Sequence, residues 1–431
     1  MAWDNEPRLF VTPAPPLVLS HVCRHWMNVA LCTPQLWTSL EIILPLEIRF
    51  PAEFRRLTSA LGRWFSRSGS LPLTLSFVPW SWSTFVRGYY RKDPARTTID
   101  DDVRPEAVPI AFQTLLRTLL KFSPRLKVLK LNALEPVYVQ EVFQNLSPGD
   151  LPTLQTAVVK GCRQPQLPFL MAGNLRVVTL SPPSLASANS IFWEGIEQLE
   201  LMSSRGCTDT HHRCPICFPS SAVPLHLGRL ERLSVGHRWL PVDAYKNCFR
   251  NWVLPNLRSL EYKAPDWWDE GETPHIMPLL LSASALTTLV LSVGHIAADA
   301  LLETLSAARE LDDLTIQFQC TEPPVPDDFL APLTPSTTHG IHRTVLCPRL
   351  RNFSFLNVLI SDEAVLDFIL ARTDPEPWSP DQCVRKLESV KVRFPRAQEV
   401  DLVALLDERI AHGLDVQFIY GFWNPSVDAN R

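Results

Sequence analysis

Leu257-Arg258-Ser259-Leu260-Glu261-Tyr262, Leu286-Thr287-Thr288-Leu289-Val290-Leu291 and Leu311-Asp312-Asp313-Leu314-Thr315-Ile316 share one register: apolar, two variable, apolar, one variable, apolar. The last two apolar positions lie two apart, so on a strand they face the same side. The first packs at the turn that enters the strand. One such strand cannot bury its apolar side alone. Stacked copies bury it together, each leucine contributing roughly 1.5–3 kcal/mol.

Toward the N-terminus the register recurs at Leu230, Leu233 and Val235; at Ile196, Leu199 and Leu201; and at Leu175, Val178 and Leu180. It continues at Leu154, Ala157 and Val159 and at Leu126, Leu129 and Leu131. Toward the C-terminus it returns at Leu350, Phe353 and Phe355 and at Leu387, Val390 and Val392. The copies stand about 21 to 39 residues apart, around a leucine-rich-repeat period of about 20–29, and the longer intervals imply inserted loops. Between them, helical spacing appears in Val137 to Leu146, Ala297 to Ala308, Ser361 to Ala371 and Val400 to Ile410. The fold expected is α/β: a leucine-rich-repeat solenoid with irregular repeats, preceded by a short helical segment. A doubly wound α/β domain also alternates strands and helices. The recurring register and a glycine count of only 15 weigh against it. The asparagine that usually follows such a strand is mostly missing, and only Asn132 and Asn357 stand near that place.

Composition narrows the function. Lys and Arg number 41 against 45 Asp and Glu, a net charge of -4. A general nucleic-acid binder would carry a basic excess. The 39 prolines suit many short elements with firm stops. The 10 cysteines accompany no secretory signal, so free thiols and a cytoplasmic or nuclear location are expected. Ile276 to Ala298 carries no formal charge, but its serines, threonines and His295 make it too polar for a membrane span. No Walker A loop, G-x-G-x-x-G, nucleophile elbow or H-E-x-x-H is present, so no enzyme activity and no catalytic residue are expected.

Leu17 to Trp37 reads as a short helix and a stop. Leu19, Val22, Trp26, Val29 and Ala30 fall at helical spacing, Ser20 is a candidate N-cap, and Pro34 ends the run. Core packing is the plain reading of such a stripe. The run from Leu19 through Ser20, Val22, Cys23, Arg24, Trp26, Val29 and Ala30 to Pro34, Leu36 and Trp37 also resembles the C-terminal half of the F-box in fungal F-box/leucine-rich-repeat proteins. The next stretch of chain is similar to that family too: a strand over Thr38 to Ile43, a helix over Phe54 to Arg67, then Arg67-Ser68-Gly69 leading to a strand at Leu73, Leu75 and Phe77. The family's first F-box helix opens on Leu-Pro-x-Glu, for which Met1 to Pro16 offers no counterpart, so the F-box reads as N-terminally truncated.

The resemblance implies a substrate receptor of an SCF-type cullin-RING ubiquitin ligase. The F-box remnant would bind the adaptor subunit through Leu19, Val22, Cys23, Trp26, Pro34, Leu36 and Trp37, and the repeats would bind an unknown target protein. A repeat scaffold with no ubiquitin-ligase link is the alternative. Residues 1–16 are expected to be a disordered tail and 17–45 the F-box-like segment. The array is expected over 46–423, with insertions near 79–110, 202–226, 264–276 and 319–347, and a tail over 424–431.

Strand alternation supplies a second candidate surface. If the repeat leucines point inward, the residues between them point out: Lys130, Val158, Thr179, Glu200, Ser234, Glu261, Val290, Thr315, Ser354 and Lys391. Repeat arrays commonly bind through such a concave sheet face. Cys207, His211, His212, Cys214 and Cys217 form the sharpest local cluster. Zinc takes four sulfur or nitrogen ligands, and the two-residue gap of Cys214 to Cys217 lets both thiolates meet one metal. Cys207, His211, Cys214 and Cys217 are thus candidate zinc ligands, with an ordinary loop as the alternative. No other cofactor is expected.

Overall fold

The computed structural model describes residues 15–44, 51–79, 114–115, 117–132, 146–160, 167–181, 191–202, 224–236, 249–264, 276–294, 297–318, 325–335, 345–373 and 384–421. The chain divides into two compact units, Met1–Ile196 and Glu197–Arg431.

In the first unit, helices α1 (Pro15–Val22) and α2 (Arg24–Leu31) precede a 3-10 turn, Pro34–Trp37. Strand β1 (Ser39–Leu44), helix α3 (Pro51–Arg67) and strands β2 (Leu73–Pro79), β3 (Leu126–Asn132), β4 (Thr156–Lys160) and β5 (Val177–Ser181) come next. The strands are all parallel and lie side by side in chain order. Leu57, Leu61, Trp64 and Phe65 give α3 its buried side. The chain leaves α3 at Gly69, whose φ of 59° suits a residue without a Cβ. Arg125, just before β3, ties this exit down: its Nη2 donates to Ser68 Oγ at 2.6 Å and to the Leu71 carbonyl at 2.8 Å.

The second unit holds β6 (Gln198–Met202), β7 (Leu225–His226), β8 (Arg232–Gly236), β9 (Trp252–Val253), β10 (Ser259–Lys263), α4 (Met277–Ser282), β11 (Thr288–Val293) and α5 (Ala298–Ser306). It continues with β12 (Asp313–Phe318), β13 (Asn352–Leu356), α6 (Asp362–Thr373), β14 (Ser389–Phe394), α7 (Leu402–Leu405), α8 (Asp407–Ala411) and β15 (Asp415–Tyr420). Eight strands pair in parallel, in the order β6-β8-β10-β11-β12-β13-β14-β15. Strands β7 and β9 form a separate small parallel pair. A doubly wound sheet would reverse its strand order at a switch point. Among the described residues neither unit does so, and the fold is α/β with long parallel sheets.

The strands of the second unit's main sheet share one cross-strand register, and all but β15 carry the full apolar pattern. Leu199, Leu233, Leu260, Leu289, Leu314, Phe353, Val390 and Val416 are cross-strand partners in one row. The first seven are buried. Most repeats also begin earlier than the six-residue pattern suggests. Three residues before the leading apolar residue sits another small or apolar side chain: Leu151, Ala172, Leu227, Leu254, Ala283, Ala308 and Cys347, all buried. The intervening turn closes by a backbone bond, as from Leu230 N to Leu227 O at 3.1 Å and from Leu350 N to Cys347 O at 3.1 Å. The carbonyl at the strand entrance then accepts two successive N–H groups from the next repeat. Glu231 O takes Arg258 N at 2.9 Å and Ser259 N at 3.0 Å, and Asp312 O takes Arg351 N at 2.8 Å and Asn352 N at 3.0 Å. Such pairing satisfies backbone groups that burial would otherwise leave costly.

Side chains lace the turns as well. Thr153 Oγ1 donates to Pro124 O at 2.9 Å, Asn174 to Pro152 O at 2.5 Å and Asn256 to Gly228 O at 2.6 Å. Each reaches back to the turn of the preceding repeat. After β13, Asn357 adopts φ 59° and donates its amide to Phe318 O at 3.1 Å. It is the asparagine the sequence places after a strand.

Several expectations are corrected. Leu17 to Trp37 holds two helices rather than one, because Cys23 is extended at φ -163° and ψ 171°. The first helix reaches back to Pro15, a residue type at home in a first turn. Ser20 lies inside α1, where its hydroxyl donates to Leu17 O at 2.7 Å, so it is not an N-cap. The helix expected over Val400 to Ile410 is broken into α7 and α8 at Leu406, which takes φ -101° and ψ 6°. The helices expected near 54–67, 297–308 and 361–371 are present as α3, α5 and α6. That expected over Val137 to Leu146 lies almost wholly outside the described residues. Ile276 to Ala298 folds as α4 and β11, and among the described residues no helix is long and apolar enough to cross a membrane.

Candidate functional site

The N-terminal helices present apolar side chains to solvent. Val22 is 62 % exposed, Trp26 44 % and Val29 37 %, with Val18 and Leu31 also exposed. Only Ala30 of the predicted stripe is buried, while Leu19 is half-buried. The break at Cys23 splits the stripe between two short helices. Core packing therefore does not account for the spacing of Val22, Trp26 and Val29.

Trp37 has a different place from the others. It is 1 % exposed, and its indole N–H donates to Ala30 O at 2.7 Å. Its ring meets Trp64 edge-on at 4.8 Å, and the Arg67 guanidinium lies over it at 4.5 Å. Trp37, Leu40 and Ile42 repeat the apolar-x-x-apolar-x-apolar register, so Trp37 fills the leading position of the first strand. It fastens α2 to the strand stack and offers no surface to a partner. Of the other predicted adaptor residues, Cys23 is exposed, and Pro34 and Leu36 are half-buried.

The predicted outward row is a true cross-strand row within each unit. In the first, Lys130, Val158 and Thr179 are in register. In the second, Glu200, Ser234, Glu261, Val290, Thr315, Ser354 and Lys391 are, and Gln417 extends them. Thr179 is covered, at 5 % exposure, and so is no contact residue; the rest of these are half-buried or exposed. Ser234 donates to Glu261 at 2.8 Å, and Lys263 pairs with Glu261 at 2.7 Å. Burial alone would raise the Glu261 carboxyl, but hydrogen bonds from Lys263 and Ser234 and the Lys263 charge outweigh it and hold the group below its usual value. Thr288 donates to Asp313 at 3.1 Å, and Asn352 donates to the same carboxylate. Lys391 has no ion pair among the described residues. The face thus runs from acidic Glu200 and Glu261, past uncharged Val290, Thr315 and Ser354, to basic Lys391.

Cys207, His211, His212, Cys214 and Cys217 lie outside the described residues. Among the described residues no group of three or more His, Cys, Asp or Glu side chains gathers as metal ligands would. Cys347, which sequence reasoning does not single out, is buried at a repeat turn, and burial pushes its thiol up to about 12. Beside it Arg372, 1 % exposed, donates to Leu333 O at 2.8 Å, Leu346 O at 2.9 Å and Cys347 O at 3.1 Å. It clips together two stretches within the insertion expected near 319–347, one at Leu333 and one at Leu346 and Cys347. The signal for Cys347 is the turn pattern Leu-Pro-x-Leu at 151–154 and 254–257, which Cys347-Pro348-Arg349-Leu350 repeats.

Compared with known proteins, the chain matches no family model and no curated protein.

Proposed function

We propose that the chain is a non-catalytic interaction protein: a leucine-rich-repeat solenoid that binds a protein target on its outward sheet face, led by an F-box-like segment that docks an SCF-type adaptor. The observation that carries this reading is the exposure of Val22, at the end of α1, and of Trp26 and Val29 on α2, the helix that Trp37 fastens to the first strand. Exposed tryptophan is expensive to leave in water and is a common anchor of protein interfaces. The in-register outward row supports the second half, since it gives an extended surface of mixed polarity.

Purified adaptor subunit, immobilised, should retain the parent chain. A Val22→Ala/Trp26→Ala variant should lose about tenfold or more in affinity, the usual weight of a tryptophan anchor. Its circular dichroism and melting temperature should stay those of the parent, because neither side chain is buried. Absence of binding by the parent discards the ubiquitin-ligase half of the reading and leaves a repeat scaffold.

A further inference from the structure

Strand β15 ends the eight-strand run with one side unpaired among the described residues. Its hydrogen bonds to β14 use alternate residues: Asp415 N donates to Glu388 O at 2.9 Å, and Gly421 N donates to Phe394 O at 3.2 Å. In a parallel ladder this alternation assigns the odd-numbered N–H and C=O groups to β14. Those of Val416, Phe418 and Tyr420 therefore point away from it. The same three side chains continue the inward rows of Val390, Val392 and Phe394, yet they stay half-exposed where those three are buried.

The usual protections of a free edge are missing. Asp415-Val416-Gln417-Phe418-Ile419-Tyr420 holds no lysine, no proline and one charge at its first position. The segment also complements itself. Turned about an axis through Phe418, a second copy sets Phe418 against Phe418, Val416 against Tyr420, Gln417 against Ile419 and Asp415 against Gly421. No like charges meet. All three outward-directed residues face their mates as hydrogen-bonded pairs, giving about six new backbone bonds. The half-exposed inward side chains then cover one another on one side of the joined sheets.

We propose that the chain self-associates as a two-fold dimer, through antiparallel pairing of β15 with β15 of a second copy. The occupant is a second copy rather than a foreign strand because that edge matches itself in charge and polarity, and a two-fold contact between identical patches is the commonest oligomer geometry. The inference stands apart from adaptor binding, which uses the other end of the chain.

Sedimentation of the full chain at high-micromolar concentration tests it. The parent should sediment as a dimer. Gln417→Lys/Ile419→Lys and Gln417→Glu/Ile419→Glu change side chains on the outward face and leave the buried rows intact. Each variant alone should be monomeric, since like charges then oppose one another twice across the axis. An equimolar mixture of the two should regain the dimer by pairing lysine with glutamate. A monomeric parent overturns the proposal, and so does a dimer that survives in both variants. Failure of the mixture to recover, with each variant folded by circular dichroism, overturns it as well.

Discussion

At the scale of single residues, Arg372 and Cys347 show how a polar pair settles inside an apolar array. Arg372 is buried yet remains charged at neutral pH: burial lowers its guanidinium only to about 10. Three backbone carbonyls take its hydrogens instead of a carboxylate. Arg372→Ala leaves those carbonyls dry, at about 1–3 kcal/mol each when unsatisfied, and should cost roughly 3–5 kcal/mol in urea denaturation. Arg372→Lys should recover little, because an ammonium cannot span Leu333 and Leu346 as the planar fork does. Cys347 occupies a turn position that alanine fills in other repeats, at Ala172, Ala283 and Ala308. Cys347→Ala should therefore cost no more than about 1 kcal/mol at neutral pH. The native thiol should resist alkylation that labels exposed Cys23 and Cys32, and react only after unfolding, as peptide mapping will report. The pH dependence has a definite sign. The folded thiol lies near 12 and the unfolded one near 9.0, so its share of stability is complete below pH 9 and falls as pH rises toward 12. In Cys347→Ala that part of the alkaline loss should vanish from the stability profile.

At the scale of elements, the strands are the most legible part of the sequence and the turns the least. Twelve strand positions come from the apolar register or from the F-box resemblance, since burial on one side of a strand imposes a period of two that residues such as Leu289 and Leu291 obey. In the second unit's main sheet β15 escapes because its leading position is not apolar. Register with β14 puts Gly413 where the preceding repeat has Leu387, and Leu414 is buried in the neighbouring position instead. Gly413 has φ 100°, and a Cβ there would meet nothing within 4 Å. Gly413→Ala should therefore cost about 1–2 kcal/mol from backbone strain alone, measured by thermal or urea unfolding, with no packing change. The helical breaks at Cys23 and Leu406 are hidden because neither is glycine or proline. Trp37 passes for a surface residue for the same kind of reason: a family motif records which residue types stay, while burial decides which of them touch a partner. Trp37→Ala should remove a buried ring packed edge-on against Trp64 and cost about 3–5 kcal/mol, whereas Trp26→Ala should leave stability nearly unchanged. That contrast separates the tryptophan that holds α2 in place from the one on its surface.

At the scale of the whole molecule, alternation of strand and helix suggests one continuous array, and the division after Ile196 leaves no mark in composition or spacing. Within the second unit each main-sheet strand pairs only with its neighbours in that sheet, which are also its nearest repeats along the chain. Stability in such a stack is a sum of repeat terms and nearest-neighbour terms, so the response to a cavity depends on where it lies. Leu289 is buried in β11, between β10 and β12, and its loss weakens two interfaces at once. Val416 lies in β15 and touches one, along β14. Hydrogen exchange read by mass spectrometry should show this directly. Leu289→Ala should raise exchange in β10, β11 and β12 together and lower global stability by about 2–5 kcal/mol, as a core leucine truncation does. Val416→Ala should raise exchange in β15 while β12 and β13 keep the protection of the parent, because a terminal strand can fray without opening its inner neighbours. Equal loss of protection throughout the unit in both variants would mean that it unfolds as one block, and the nearest-neighbour account of its stability would be wrong.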